Sequence, residues 1–148
     1  MNSSRFISAI LVGSVVIFGH ASSIFAADLF ISEVMSSNGA TLRDRFLSSS
    51  DWIEIFNPKQ DPVDLDGWFL SDDPNELQKW TFPKVILKPA QFLMVFASGR
   101  DLAESGQELH TNFKLSRRGE YLSLAQPNLS IVHEFRPSLP PLKQDRSY

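Results

Sequence analysis

The sequence predicts an all-β domain, a sandwich or barrel of short antiparallel strands. Three observations predict it. Apolar runs of three to nine residues recur beyond residue 28. Turn formers (Pro, Gly, Asn and Asp) separate them about every 8 to 15 residues. And although 43% of the 148 residues are apolar, no window carries a convincing apolar stripe of 3.6-residue period.

The runs justify the elements in turn. The first is LFISEVM (29–35), followed by the polar loop SSNGATLRDRFLSSS. In DWIEIFN (51–57), Ile53 and Ile55 share one face while Trp52, Glu54 and Phe56 share the other. Two isoleucines mark the core side, so Glu54 belongs outside, flanked by aromatics. The prolines of NPKQDP fix φ and cannot donate to a ladder, which ends one strand and begins the next. VDLDGWFLS (63–71), KWTFP (79–83) and VIL (85–87) follow, then the nearly continuous QFLMVFAS (91–98), which reads as a strand buried on both faces. GRDLAESGQEL (99–109) reads mainly as a loop, with room for one helical turn. TNFKLS (111–116) and EYLSLA (120–125) read as a hairpin closed by a left-handed Gly119, and SIVHEF (130–135) is the last strand.

The two ends differ from this middle. Residues 1–26 combine a charge-poor start around Arg5, the apolar run FISAILVGSVVIFG and the small residues of SIFAAD, the pattern of a secretory signal peptide. Cleavage is expected after Ala26, with Ala27 as the alternative. The run is short of the roughly 20 apolar residues of a membrane-spanning helix, although an uncleaved N-terminal anchor is the competing reading. Beyond the signal the folded domain is expected over 28–136. The tail 137–148, PSLPPLKQDRSY, is expected to be a Pro-rich extended linker, leading to a further module that is missing here.

Composition excludes several functions. The chain has no cysteine, so it forms no disulfide, thiolate metal site, cysteine nucleophile or lipidated N-terminal cysteine. An exported domain without disulfides relies on its apolar core and fits a bacterial envelope or extracellular protein. The net charge of −3, or −4 without Arg5 from 13 basic and 17 acidic side chains, is too mild to imply a general polyanion binder.

Catalysis by Glu54 needs a raised pKa and a partner, and neither His nor acid lies two residues away. Asp64, Asp66, Asp72 and Asp73 are weak candidates for a Ca²⁺ site. Asp64-x-Asp66-Gly67 echoes part of a calcium loop, but Trp68 stands where another acid belongs, and Asx-type turns explain the acids as well. No cofactor is otherwise expected. His110 and His133 show no zinc-ligand spacing and read as structural or surface residues; the serine of ASGR lacks a nucleophile-elbow setting. Lys114, Arg117 and Arg118, with Phe113 and Tyr121 nearby, form a basic patch too small to make nucleic acid an expected partner. Trp68 reads as core. Trp52 and Phe56 read as an outer patch covered by a partner or ligand.

LFISEVM, DWIEIFNP, DPVDLDGWFLSDD, KWTFP, VILKPAQFLMVFAS and NFKLSRRGEYLSLAQPNLSIVHEF, in that order, resemble the lamin tail domain in its bacterial exported form, over roughly residues 29–135. The resemblance implies an immunoglobulin-like antiparallel β-sandwich, here with about 7–9 strands. It also implies a non-catalytic interaction or scaffolding module of a secreted or surface protein, without catalytic residues. The expected partner is another protein or a neighbouring module. The alternative is a carbohydrate-binding module that uses Trp52 and Phe56, with Glu54 between them, and a structural Ca²⁺.

Overall fold

A computed structural model describes residues 28–148. The signal peptide expected over 1–26 lies outside the described residues. The described residues form ten strands: β1 (Phe30–Met35), β2 (Asp51–Phe56), β3 (Val63–Asp64), β4 (Phe69–Ser71), β5 (Trp80–Thr81), β6 (Ile86–Leu87), β7 (Phe92–Ala97), β8 (Leu109–His110), β9 (Leu122–Ala125) and β10 (Ile131–Phe135). One sheet has the order β1-β2-β7-β8 and the other β10-β9-β4-β5, with β3 and β6 as a separate two-stranded ladder. All pairings are antiparallel except β7 with β8. The all-β sandwich expected from the run spacing is therefore the fold observed.

Ten strands replace the expected 7–9 for local reasons. Gly67, with φ of 73°, turns the chain within 63–71 and splits that run into β3 and β4. TNFKLS contributes no strand; only an isolated bridge joins Ser98 to Lys114, and the two-residue β8 precedes it. The expected hairpin across Gly119 does not form, because Lys114 pairs on the first sheet and β9 belongs to the second. Gly119 is left-handed as expected, with φ of 87°, and donates its N–H to the Ser116 carbonyl in a turn.

The core lies between the sheets. Ile53 and Ile55 are fully buried, with Ile31, Val34 and Val95 from the same sheet and Leu70, Trp80, Leu122 and Leu124 from the other. Burying an aliphatic side chain of this size stabilises by about 1.5–3 kcal/mol, so alternation along β2 alone commits the strand to one orientation. Trp68 is buried in this core, as expected. Asn57, also buried, donates its amide to the carbonyls of Asp61 and Leu87 and so closes the NPKQDP turn onto β6.

Two further expectations fail. QFLMVFAS is not buried on both faces throughout: Val95, Phe96 and Ala97 are buried, but Phe92 is 55% exposed. The tail, expected as an extended linker, has no regular structure but packs back on the domain. Leu139 enters the core, its N–H donating to the Glu120 carbonyl. Further on, Asp145 accepts from the N–H groups of Gly39 and Ala40, and Tyr148 exchanges both backbone hydrogen bonds with Val34 on the edge of β1. Prolines fix the tail's φ values, but one buried leucine and a set of unpaired edge groups were enough to hold it.

Candidate functional site

The face of the first sheet turned away from the core carries the site. Register places Phe30, Phe56 and Phe92 side by side across β1, β2 and β7, and Met35, Trp52 and Phe96 side by side near the other end. These two rows meet different fates. Met35, Trp52 and Phe96 form a second buried cluster, with Met94 packed against it. Trp52 is only 6% exposed, so its expected role in an outer patch is wrong. The β1–β2 connection accounts for this: its Phe46 stands 5.6 Å from the ring of His110, which pairs with Phe96, and its buried Asp44 holds Arg100 at 2.9 Å. A loop that reads as polar thus folds over the apolar row. The Trp52 Nε1–H is left without an acceptor.

Asp44 is the pin of that loop. It accepts from the N–H groups of Phe46 and Ser48, from Ser50 Oγ and from Arg100. Burial by itself raises its pKa, but those hydrogen bonds and the Arg100 charge together outweigh burial and bring it below the ordinary carboxylate value. Asp51, at the start of β2, behaves oppositely: burial pushes it up, only partly offset by the Asn38 N–H and the charge of Lys114.

The Phe30–Phe56–Phe92 row stays accessible and is longer than the sequence suggested. Ring centroids run Phe92–Phe56 at 4.5 Å, Phe56–Phe30 at 5.6 Å, Phe30–His133 at 6.2 Å, His133–Phe135 at 5.1 Å and Phe135–Tyr148 at 5.4 Å. The ladder crosses from β7 to β10 and ends on the tail. Its inner members are half-buried, while Phe92 and Tyr148 at its two ends are 55% and 56% exposed. His133 is a rung of this ladder rather than a ligand: burial lowers its pKa, and its Nδ1 accepts from the Ile31 N–H at 3.4 Å, joining β10 to β1. Of the three binding candidates, Phe56 is in the ladder, Glu54 borders it, and Trp52 is outside it. Glu54 is half-exposed and accepts from Ser32 Oγ at 2.8 Å, with Glu33 and Met94 opposite it on the neighbouring strands. Phe30, Phe92, Phe135 and Tyr148 were missed. Three of them lie on strands already identified, but the register that aligns them belongs to no single run.

The other candidates separate. Asp64 accepts from the Asp66 N–H, Asp73 from the N–H and amide of Asn75, and Asp72 pairs with Lys79 at 2.6 Å. These carboxylates serve turns and an ion pair and do not converge; among the described residues no three His, Asp or Glu side chains are placed to hold a metal ion. Phe113 and Tyr121 are buried, which leaves Lys114, Arg117 and Arg118 without the stacking surface that a single-stranded nucleic acid reader needs. Among the described residues, no helix is long and apolar enough to cross a membrane.

No curated protein matches this chain. The sequence model of the lamin tail domain matches residues 23–137, which include both sheets and the full run of strands from β1 to β10. The chain belongs to the lamin tail domain family, whose immunoglobulin-like sandwich is the fold described above.

Proposed function

We propose that this protein is a non-catalytic interaction module of an exported bacterial protein, docking a protein partner or a neighbouring module through the aromatic ladder. The carrying observation is the ladder itself: six rings in continuous edge or tilted contact, open to solvent at Phe92 and Tyr148. Rigid aromatic rings supply much contact area at small entropic cost and dominate protein interfaces. Export to the envelope or cell surface is supported by the signal-peptide pattern of residues 1–26. A carbohydrate-binding role loses its main platform, since Trp52 is buried and cannot stack on a sugar.

The test places a photoreactive phenylalanine analogue at position 92 of the full chain in its native host. The expected result is a cross-link to one protein, or to another module of the same polypeptide, competed by added wild-type domain but not by Phe92→Ser/Tyr148→Ser. Cross-linking only to polysaccharide, or competition undiminished by the double substitution, would overturn the proposal.

A further inference from the structure

At the end of the face away from Phe92, three polar side chains meet behind a cleft. Ser98 follows β7, and its Oγ lies 2.9 Å from His110 Nδ1; His110 Nε2 in turn lies 2.9 Å from Glu108 Oε1. Glu108, just before β8, and His110 are two residues apart on one extended segment, which aims both the same way. The same Glu108 oxygen accepts from the Arg45 N–H at 2.9 Å, which holds the carboxylate in place. An ionised carboxylate only accepts, so the hydrogen-bond network assigns the proton of the neutral imidazole to Nε2. Nδ1 is then the lone-pair atom, and the Ser98 hydroxyl donates to it. The imidazole cannot turn away: it is fully buried, stacked on Phe96 at 5.4 Å and met edge-on by Phe46 at 5.6 Å.

This arrangement has the three relations that activate a serine: nucleophile to base, base to an orienting acid, and an acid held by the backbone. The two ring nitrogens are exchanged relative to the usual order, which leaves the proton bookkeeping intact. We propose that Ser98 is an acyl-accepting nucleophile, activated by His110 and Glu108, for a small polar ester bound in the adjoining cleft. The cleft holds about 440 Å³ and is lined, beside Ser98, by Ser48, Ser49, Ser50, Asp51, Arg100 and Lys114. Such walls suit a compact polar ester and offer little to a long acyl chain. Oγ bonds to the carbonyl carbon as its proton passes to His110 Nδ1. The carbon–alkoxy bond breaks, and the departing alkoxide takes that proton and leaves as the alcohol. The Arg100 N–H donates to Oγ at 3.3 Å and so favours the negative charge that builds on that oxygen as its proton leaves, while Lys114 lines the same cleft. The step ends with an ester on Ser98 and requires no turnover. It is independent of the aromatic ladder, and each stands if the other fails.

A fluorophosphonate is the probe, since serine attack displaces fluoride and leaves a stable mass increment. Incubated with the full chain, it is expected to give one adduct by intact mass, mapping to Ser98 and absent from Ser98→Ala. General-base assistance is worth about 10²–10⁴-fold, so Glu108→Gln and His110→Gln are expected to label at least about 100-fold more slowly. Glu108→Gln preserves shape and hydrogen-bond reach, and it is read alongside a circular dichroism spectrum that confirms the fold. A merely structural clamp gives a different pattern: no adduct, a rate unchanged in Glu108→Gln, or labelling at Ser48–Ser50 that survives Ser98→Ala. Any of these would overturn the proposal.

Discussion

Replacing Trp52 by alanine is expected to cost about 3–5 kcal/mol of folding stability, the range for removing a buried large aromatic. The indole packs with Met35 and Phe96 beneath the β1–β2 connection, so truncation opens a cavity and loosens the loop that Asp44 and Arg100 pin. Trp52→Phe is expected to be far milder. It keeps most of the ring volume and removes an indole N–H that has no acceptor in the fold. Urea denaturation of the three proteins checks both statements. A Trp52→Ala midpoint equal to wild type would show that the side chain is free at the surface and that the buried second cluster is misplaced.

The second large effect is expected at Gly119. Its φ of 87° strains any L side chain, at about 1–3 kcal/mol. A Cβ there would also collide with the Leu139 carbonyl oxygen. Gly119→Ala is therefore expected to destabilise the domain and unseat the tail together, since Leu139 is held over the same turn by its bond to Glu120. Leu139→Ala, which empties a fully buried site without touching the turn, is expected to cost about 2–5 kcal/mol. Limited trypsin digestion reads the tail directly: cleavage after Lys143 and Arg146 is expected to accelerate in both variants relative to wild type. Equal cleavage rates would mean that residues 137–148 hang free in the native protein.

These two sites mark where the sequence is a good guide and where it is not. The inward set of β2 was legible because alternation is a property of one strand: Ile53 and Ile55 had to share a face, and that face had to be core. Turn chemistry was equally local, as Gly119 and the NPKQDP turn show. Trp52 obeyed the same alternation and stands on the outer face of its sheet, yet it is buried, at the end of the sheet over which the preceding β1–β2 connection folds back. Nothing in DWIEIFN encodes the cover. The loop's own sequence hides its role behind polar residues, of which Asp44 and Ser50 turn out to be its fastenings.

Sites assembled across elements suffered most. Phe30, Phe56 and Phe92 come from three strands whose register no single strand specifies; Phe135 joins them through His133 on β10, and Tyr148 only because the tail returns to β1. Ser98 and His110 were each read in isolation, as a serine without a turn motif and a histidine without a ligand spacing. The parallel pairing of β8 with β7 brings them to hydrogen-bond distance. A parallel two-residue strand after a loop leaves almost no periodic trace. The one sequence hint was Glu108-x-His110, a spacing that puts an acid and an imidazole on the same side of an extended segment.

The orientation of β2 underlies all of these claims, and thiol accessibility measures it directly. The chain contains no cysteine, so Ile53→Cys, Glu54→Cys, Ile55→Cys and Phe56→Cys each present a single reactive group. Under native conditions the thiols at 54 and 56 are expected to react with a soluble maleimide quickly, while those at 53 and 55 react only as fast as the domain opens. Rapid labelling at 53 and 55 with protection at 54 and 56 would contradict the two-sheet core on which this account is built.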